Sequence, residues 1–472
     1  MSPPSDRSGL TRRDALVLGA VALPVLQLGC AGTPAEEDFD VDAIPESRTI
    51  FPRTVLAGDM QTDRVVLTMF FADGRPKTLR VWAEDAPELL VVDREVTPDA
   101  EGFVKERVTG LQPDTVYAYA WLAGTAPDFS ARSLVGRVRT LPAPGSAVPV
   151  TVVFGACVGQ GTIVPDFVDP GQTEPFTWAL YDAAAALDWD VFVHLGDQGY
   201  FDRIWHDGGA YEAYLEAWGA YHGGSYRSVF PKAGLLATWD DHEVTDNSAV
   251  DPWTTEPSEL ERMANGKRAW FTVVPIDADD PTSAVWRSFR WGDTVELVLL
   301  DCRYEKTEGE PPHLVSEAQL AWLLERLTTS PCRFVCVCSP KPFATVMLQD
   351  GRYPGEKERW SGNPADRDRV VQAIDDGQLD HVLWVTGDIH MTYLGRLEET
   401  GDRVSDRMWE VCTTSGNVSP FADDLSTTQF AFGAAAPMLP RITFDAQAGT
   451  ATVRFHDATG AVAHEQVIPL GA

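Results

Sequence analysis

From residue 148 onward the chain alternates between two apolar patterns. Short, nearly unbroken apolar runs at 151–154, 191–195, 235–239, 296–300, 333–338 and 382–386 have the length and composition of buried strands. Between them lie segments of helical period. Ser316-Glu317-Ala318-Gln319 has capping-box spacing and opens a run with Leu320, Leu323, Leu324 and Leu327 on one face. Pro175 starts another, with Phe176, Leu180, Ala183 and Leu187 at helical spacing. Alternating strands and helices predict an α/β layer structure.

Residues 49–145 read differently. Strand-like runs at 64–70, 78–82 and 115–121 are separated by turn residues, and no convincing amphipathic helix intervenes. This pattern predicts a small antiparallel β-sandwich. The stretch 111–117, Leu-Gln-Pro-Asp-Thr-Val-Tyr, resembles the tyrosine-corner region of fibronectin type III-like domains. Residues 141–145 read as a linker, and the Pro-, Glu- and Asp-rich segment 31–48 as a tether. Ahead of it, Arg12-Arg13 precedes a short apolar stretch at 17–28 that ends in Gly29-Cys30. A twin arginine in that position is an export signal, and Cys30 resembles a lipoprotein attachment site. The expected organisation is therefore a signal at 1–30, a linker at 31–48, a β-sandwich at 49–145 and a catalytic domain at 148–472. The expected location is the periplasm or cell envelope, reached through the twin-arginine machinery and held through Cys30.

Composition adds two constraints. Over 472 residues, 44% are apolar and 23% charged, which is globular composition and excludes global disorder. Seventy acidic residues against 38 basic ones give a net charge of −32, which excludes nucleic-acid binding by a basic patch. An anionic substrate would need bound cations to invert the local field. Cys336 and Cys338 alternate in an apolar run and read as small buried side chains, whereas Cys157 falls at a strand end.

The polar clusters carry the chemistry, because each apolar run ends in one. The six are Gly155-Ala156-Cys157, Gly196-Asp197-Gln198-Gly199-Tyr200, Asp240-Asp241-His242-Glu243, Asp301-Cys302-Arg303, Ser339-Pro340-Lys341 and Gly387-Asp388-Ile389-His390. In α/β sheets, sites form at the carboxyl ends of strands. Several carboxylates converging there repel one another unless cations lie between them. Asp197, Asp240, Asp241 and Asp388 are the candidate oxygen ligands, joined by Cys157, Tyr200 and His390. Oxygen ligands alone suit magnesium or calcium. A thiolate, a phenolate and an imidazole suit a transition metal such as ferric iron. Two metals sharing a carboxylate form a clamp for phosphoryl displacement.

The order Gly196-Asp197…Tyr200, Trp239-Asp240-Asp241-His242-Glu243 with Asp246-Asn247, then Gly387-Asp388-Ile389-His390 resembles the PhoD-type alkaline phosphatases of the metallophosphoesterase superfamily. Phe154-Gly155-Ala156-Cys157 and Leu300-Asp301-Cys302-Arg303 resemble two further elements of that family. The resemblance implies a calcineurin-like α/β sandwich behind the β-sandwich, and iron (Fe³⁺) together with calcium; zinc and manganese are the alternatives. It implies hydrolysis of phosphomonoesters, phosphodiesters or both by a metal-bound hydroxide. Gln198, Gly199, Phe201 and Ala156 depart from the family pattern and bear on substrate preference. Arg303 and Arg227 are candidates for a cation facing the phosphoryl group. His242 is the candidate general acid, with metal ligand or orienting group as its rival roles. Asn247 is a candidate phosphoryl donor or a turn residue. The expected state is a monomer. The rival readings are a phospholipase-like diesterase and a non-catalytic envelope lipoprotein binding a ligand through its β-sandwich.

Overall fold

The six apolar runs form the strands Val150–Gly155, Val191–His194, Gly234–Ala237, Val295–Leu299, Phe334–Ser339 and Val382–Thr386. They are seen in a computed structural model that describes residues 33–34, 39–159, 178–201, 209–244, 256–278, 280–307, 311–346, 358–418 and 425–469. The first three strands run parallel in a nine-stranded sheet, and the last three run parallel in a seven-stranded sheet.

Alternation along each strand decides the layering, since successive side chains point to opposite faces. Val152, Phe154, Val193 and Leu236 of one sheet meet Leu297, Leu299, Cys336, Cys338 and Val385 of the other in a shared core. Cys336 and Cys338 are thus the small buried side chains that their spacing predicts. Val153, Phe192 and Leu235 point outward and pack with helices Ala179–Ala185, Tyr211–His222 and Pro257–Val273. On the other flank Val298, Val335, Val337 and Trp384 share a core with helices Glu317–Thr329 and Pro364–Gly377. The result is an α/β/β/α sandwich.

The predicted helix after Ser316 is present, and the Ser316 hydroxyl accepts the Gln319 N–H at 3.1 Å. The capping box is only half closed. The Gln319 side chain turns instead to Asp301, accepting its N–H at 2.8 Å and donating to its carbonyl at 2.9 Å. Pro175 and Phe176 lie outside the described residues, and the helix there runs Ala179–Ala185 with Leu180 buried.

The N-terminal strands form the predicted β-sandwich. Its outer sheet holds Lys77–Ala83, Ala86–Val96, Val116–Thr125, Asp128–Arg132 and Gly136–Arg139, with Thr33–Pro34 added at the edge. Facing it are Leu56–Gly58, Arg64–Phe70 and Phe103–Thr109. Tyr117 completes the tyrosine corner, its hydroxyl accepting the Gln112 N–H at 2.8 Å. The facing sheet does not end there. Gly58 pairs with Leu235, so these three strands continue the nine-stranded catalytic sheet. Leu141, in the stretch that reads as a linker, is buried in the common core. Among the described residues, no helix is long and apolar enough to cross a membrane. Arg12, Arg13, Cys30, Asp246 and Asn247 lie outside the described residues.

Candidate metal centre

All six parallel strands deliver their polar clusters to one place, because the two sheets present their carboxyl ends at the same edge. Cys157, Asp197 and His390 hold their ligand atoms within 4.8 Å of one another. The same limit encloses Asp197, Asp241 and His242, and again Asp240, Asp241 and Asp388. Asp197 belongs to the first two groups and Asp241 to the last two, so the three groups form one continuous centre. Tyr200 joins it, with its hydroxyl 3.0 Å from His390 Nε2 and 3.5 Å from Asp197 Oδ2. The seven residues predicted as ligands are therefore brought together.

The backbone is bent to achieve this. Seven described non-glycine residues have positive φ, and four of them are Cys157 (50°), Asp197 (54°), Asp388 (71°) and His390 (56°). Such conformations cost of order 1–3 kcal/mol each and persist only where surrounding contacts impose them. One such contact is Glu243. Its buried carboxylate accepts the N–H groups of Asp197 at 2.9 Å, Gln198 at 2.7 Å and Asp240 at 2.9 Å, pinning two strand-end loops together. Gly196 permits the approach: a Cβ there would lie 2.6 Å from the Asp240 nitrogen.

His242 sits inside the cluster. Its ring stacks on Tyr200 with centroids 3.9 Å apart, and its main-chain N–H donates to Asp197 Oδ1 at 3.2 Å. Arg303 is fully buried and committed to carboxylates. Its Nε and Nη2 donate to Asp240 Oδ1 at 3.0 and 2.8 Å, its Nη2 lies 3.5 Å from Asp241, and its Nη1 donates to Glu358 at 2.6 Å. Arg227 is not brought to the centre. Its Nη1 donates to the carbonyls of Phe51 at 3.0 Å and Arg53 at 2.7 Å, and its Nη2 to Glu46 at 2.5 Å. It ties down the start of the β-sandwich.

Three participants were not singled out by the sequence. Lys341 is wholly buried with its ammonium on Asp388 Oδ1 at 2.5 Å and Asp240 Oδ2 at 2.9 Å. Glu358 holds Arg303 and also pairs with Lys306. The Asn417 side chain lies beside the Tyr200 phenol and favours its ionised form. Lys341 follows a strand end, which is a signal of place but not of role. Glu358 and Asn417 lie in loops with no pattern of their own.

Electrostatics test whether this set suits metal. Burial, then the neighbouring Asp241, raises the pKa of Asp197, and burial, then Asp197, raises those of Cys157 and Tyr200. Burial also lifts Asp388. Asp241 goes the other way: burial would raise it, but Arg303 and His242 outweigh that and hold it low. Burial and Arg303 press on the Lys341 ammonium, yet Asp240 and Asp388 prevail and raise its pKa. Burial, then His242, pushes His390 down to about 4, which keeps its imidazole neutral and able to ligate. Asp240 Oδ2 is buried and receives no aligned hydrogen bond, its contact with Lys341 being an ion pair only. Raised acids and a neutral imidazole are what a bound metal ion would correct. The residues fit metal, with Cys157 and His390 grouped with Asp197, and Asp240, Asp241 and Asp388 grouped together. Six cysteines, Cys157 among them, are buried and free, so none of these is withheld by a disulfide.

Known proteins carry the same architecture. The family model described as PhoD-like phosphatase matches residues 171–458. Alkaline phosphatase D of Bacillus subtilis (strain 168) is 25% identical over 454 residues, covering 84% of this chain and 74% of that protein. The solved structure of PhoD superposes with a TM-score of 0.71 at 20% identity, covering 89% of each chain. Purple acid phosphatase PPD1 from yellow lupin (Lupinus luteus) seeds superposes with a TM-score of 0.61 at 12% identity, covering 89% of this chain and 75% of its own.

Proposed function

Because this chain belongs to the PhoD-like phosphatase family and is a phosphoric ester hydrolase, we propose that it is an exported enzyme cleaving phosphomonoesters and phosphodiesters at a centre of iron and calcium. The observation that supports this reading is the convergence of Cys157, Asp197, Tyr200, Asp240, Asp241, Asp388 and His390 at the carboxyl ends of strands from two sheets. The thiol, phenol and imidazole suit ferric iron, and the carboxylates suit calcium. When bound, such ions supply an activated water and positive charge for the phosphoryl oxygens.

The chain's own residues do the rest. Asp197 lies in two of the three ligand groups and is the carboxylate that would be shared between two ions. Tyr200 and His390 fix one another through their shared contact. Arg303 holds Asp240 and balances its charge. His242 lies against Tyr200 and groups with Asp197 and Asp241, and in this reading its imidazole gives a proton to the leaving oxygen rather than holding metal. Residues 49–145 and 148–472 act as a supporting sandwich and a catalytic module. The arginine pair Arg12-Arg13 directs export, and a lipid on Cys30 holds the mature chain at the envelope.

Metal analysis with the Asp197→Asn variant tests the centre. The purified protein is expected to contain iron and calcium and to absorb visible light through a Tyr200 phenolate–ferric band. Asp197→Asn is expected to lose metal and phosphoester hydrolysis together. A colourless, fully active protein holding only zinc would overturn the iron assignment, and an Asp197→Asn variant that hydrolyses normally would overturn the reading of the site.

A further inference from the structure

Asp240, Asp241 and Asp388 bring ligand oxygens within 4.8 Å of one another, the first two buried and the third partly so, where water screens them poorly. Three like charges at that separation would drive the strand-end loops apart unless cations lay among them. Two cations of the chain itself already do. Arg303 covers Asp240 and Asp241, and Glu358 grips its far side, so the guanidinium is fixed from both ends. Lys341 differs. Its backbone is pinned by Ser339, which donates its hydroxyl to the Lys341 carbonyl at 2.7 Å and accepts the Lys341 N–H at 3.2 Å. Its ammonium, among the described residues, forms ion pairs with Asp388 and Asp240, both proposed ligands, and no hydrogen bond or ion pair tethers it to Glu358 as Arg303 is tethered. It is a point charge on a flexible stem, wedged between two carboxylates that would otherwise face a metal ion.

We propose that Lys341 is a resident stand-in for a divalent cation: it neutralises Asp240 and Asp388 while the centre is unloaded and yields them when metal arrives. The proposal rests on the reading of these aspartates as metal ligands. It adds that the centre is built to fold before loading, and that metal affinity is set partly by competition with an ammonium of the same chain. Arg303, tethered to Glu358, stays in place in both states. The cost of the device is affinity, since an arriving ion must displace a bound charge. The benefit is a preformed site, because the carboxylates need not wait for metal to be held together.

The test compares the wild type with Lys341→Met and Lys341→Arg, each stripped by chelation and reduction and then titrated with calcium. Calorimetry and thermal melting are read, neither of which depends on turnover. The stripped wild type is expected to melt cooperatively. Stripped Lys341→Met should melt several degrees lower, and calcium should bind it about tenfold or more tighter, the usual scale of coupling between two competing cations. Lys341→Arg keeps the charge and should resemble the wild type in the melt. Equal calcium affinity in wild type and Lys341→Met, or weaker binding by the variant, would overturn the proposal. Should Lys341→Met fail to fold, the wild type alone decides: a stripped wild type without a cooperative melt would mean that no resident charge preforms the site. A wild type that takes up no divalent ion would instead refute the metal reading on which this rests, a result distinct from a variant that binds ions no more tightly.

Discussion

His242 is the residue whose role can be separated most sharply from metal binding. Its ring lies flat on Tyr200, and its main-chain N–H is spent on Asp197. That packing positions the imidazole at the cluster whether or not it ligates. As a proton donor, it matters in proportion to how badly the leaving oxygen needs a proton. His242→Ala is expected to keep its metal and to lose roughly 10²–10⁴-fold in turnover on alkyl phosphoesters. The loss should be much smaller on nitrophenyl esters, whose leaving group departs as a stable anion. Parallel kinetics on the two ester types, with metal content measured alongside, check this. Equal losses would argue against the acid role, and loss of metal would make His242 a ligand. Much of this residue-scale picture was legible, since a histidine after paired aspartates at a strand end is already informative. The Lys341 role was not. A lysine after a strand is ordinarily a solvated charge, and only the fold reveals that it is buried between Asp240 and Asp388.

At the scale of elements, the strand ends matter more than any one ligand. The two loops after Val191–His194 and Gly234–Ala237 are tied by a single buried carboxylate, Glu243, which accepts three N–H groups. Burial raises its pKa to about 7, against the pull of those N–H donors. Glu243→Gln keeps the shape but presents one oxygen and one NH₂ to three donors, so one N–H is left facing a donor. The loops should then drift, and the ligands Asp197 and Asp240 with them. Partners of this kind typically matter by 10–100-fold in metal affinity or activity. Glu243→Gln is therefore expected to bind metal roughly 10–100-fold more weakly while retaining its fold, as read by metal titration beside circular dichroism. Unchanged affinity would show that the loops are held by other contacts. The strands themselves were legible because runs of four to six mostly apolar residues, each ending in a polar cluster, have few alternatives in an α/β chain. The half-closed cap of the Glu317–Thr329 helix was not. Gln319 satisfies the spacing rule, but Asp301 offers it two hydrogen bonds, and tertiary contact overrides the local pattern.

Across the whole molecule, the β-sandwich is structurally part of the catalytic body. Gly58 pairs with Leu235, and three N-terminal strands thereby extend the sheet that carries Cys157, Asp197 and Asp240. The chain pattern reveals two styles of segment but cannot reveal that their sheets are continuous, because the join is made between residues 177 positions apart in sequence, 58 and 235. The same distance hid the role of Arg227, whose partners are Glu46 in the tether and Phe51 and Arg53 at the start of the sandwich segment. From the sequence it was a candidate for the cation facing the phosphoryl group. In the fold its guanidinium satisfies two buried carbonyls and a carboxylate, and burial depresses its pKa despite the nearby Glu46. Removing it would strand those acceptors without touching the metal centre. Arg227→Met is thus expected to lower unfolding stability by about 2–4 kcal/mol, the range for losing charged hydrogen bonds and leaving their buried acceptors unpaired. The folded fraction should retain metal and hydrolyse phosphoesters within about twofold of the wild type, the small residual change that distant, independent sites allow. Denaturant unfolding read together with kinetics below the melting range separates the two effects. A stable Arg227→Met protein with collapsed turnover would return this arginine to the chemistry and deny that it is a clasp between the sandwich and the catalytic sheet.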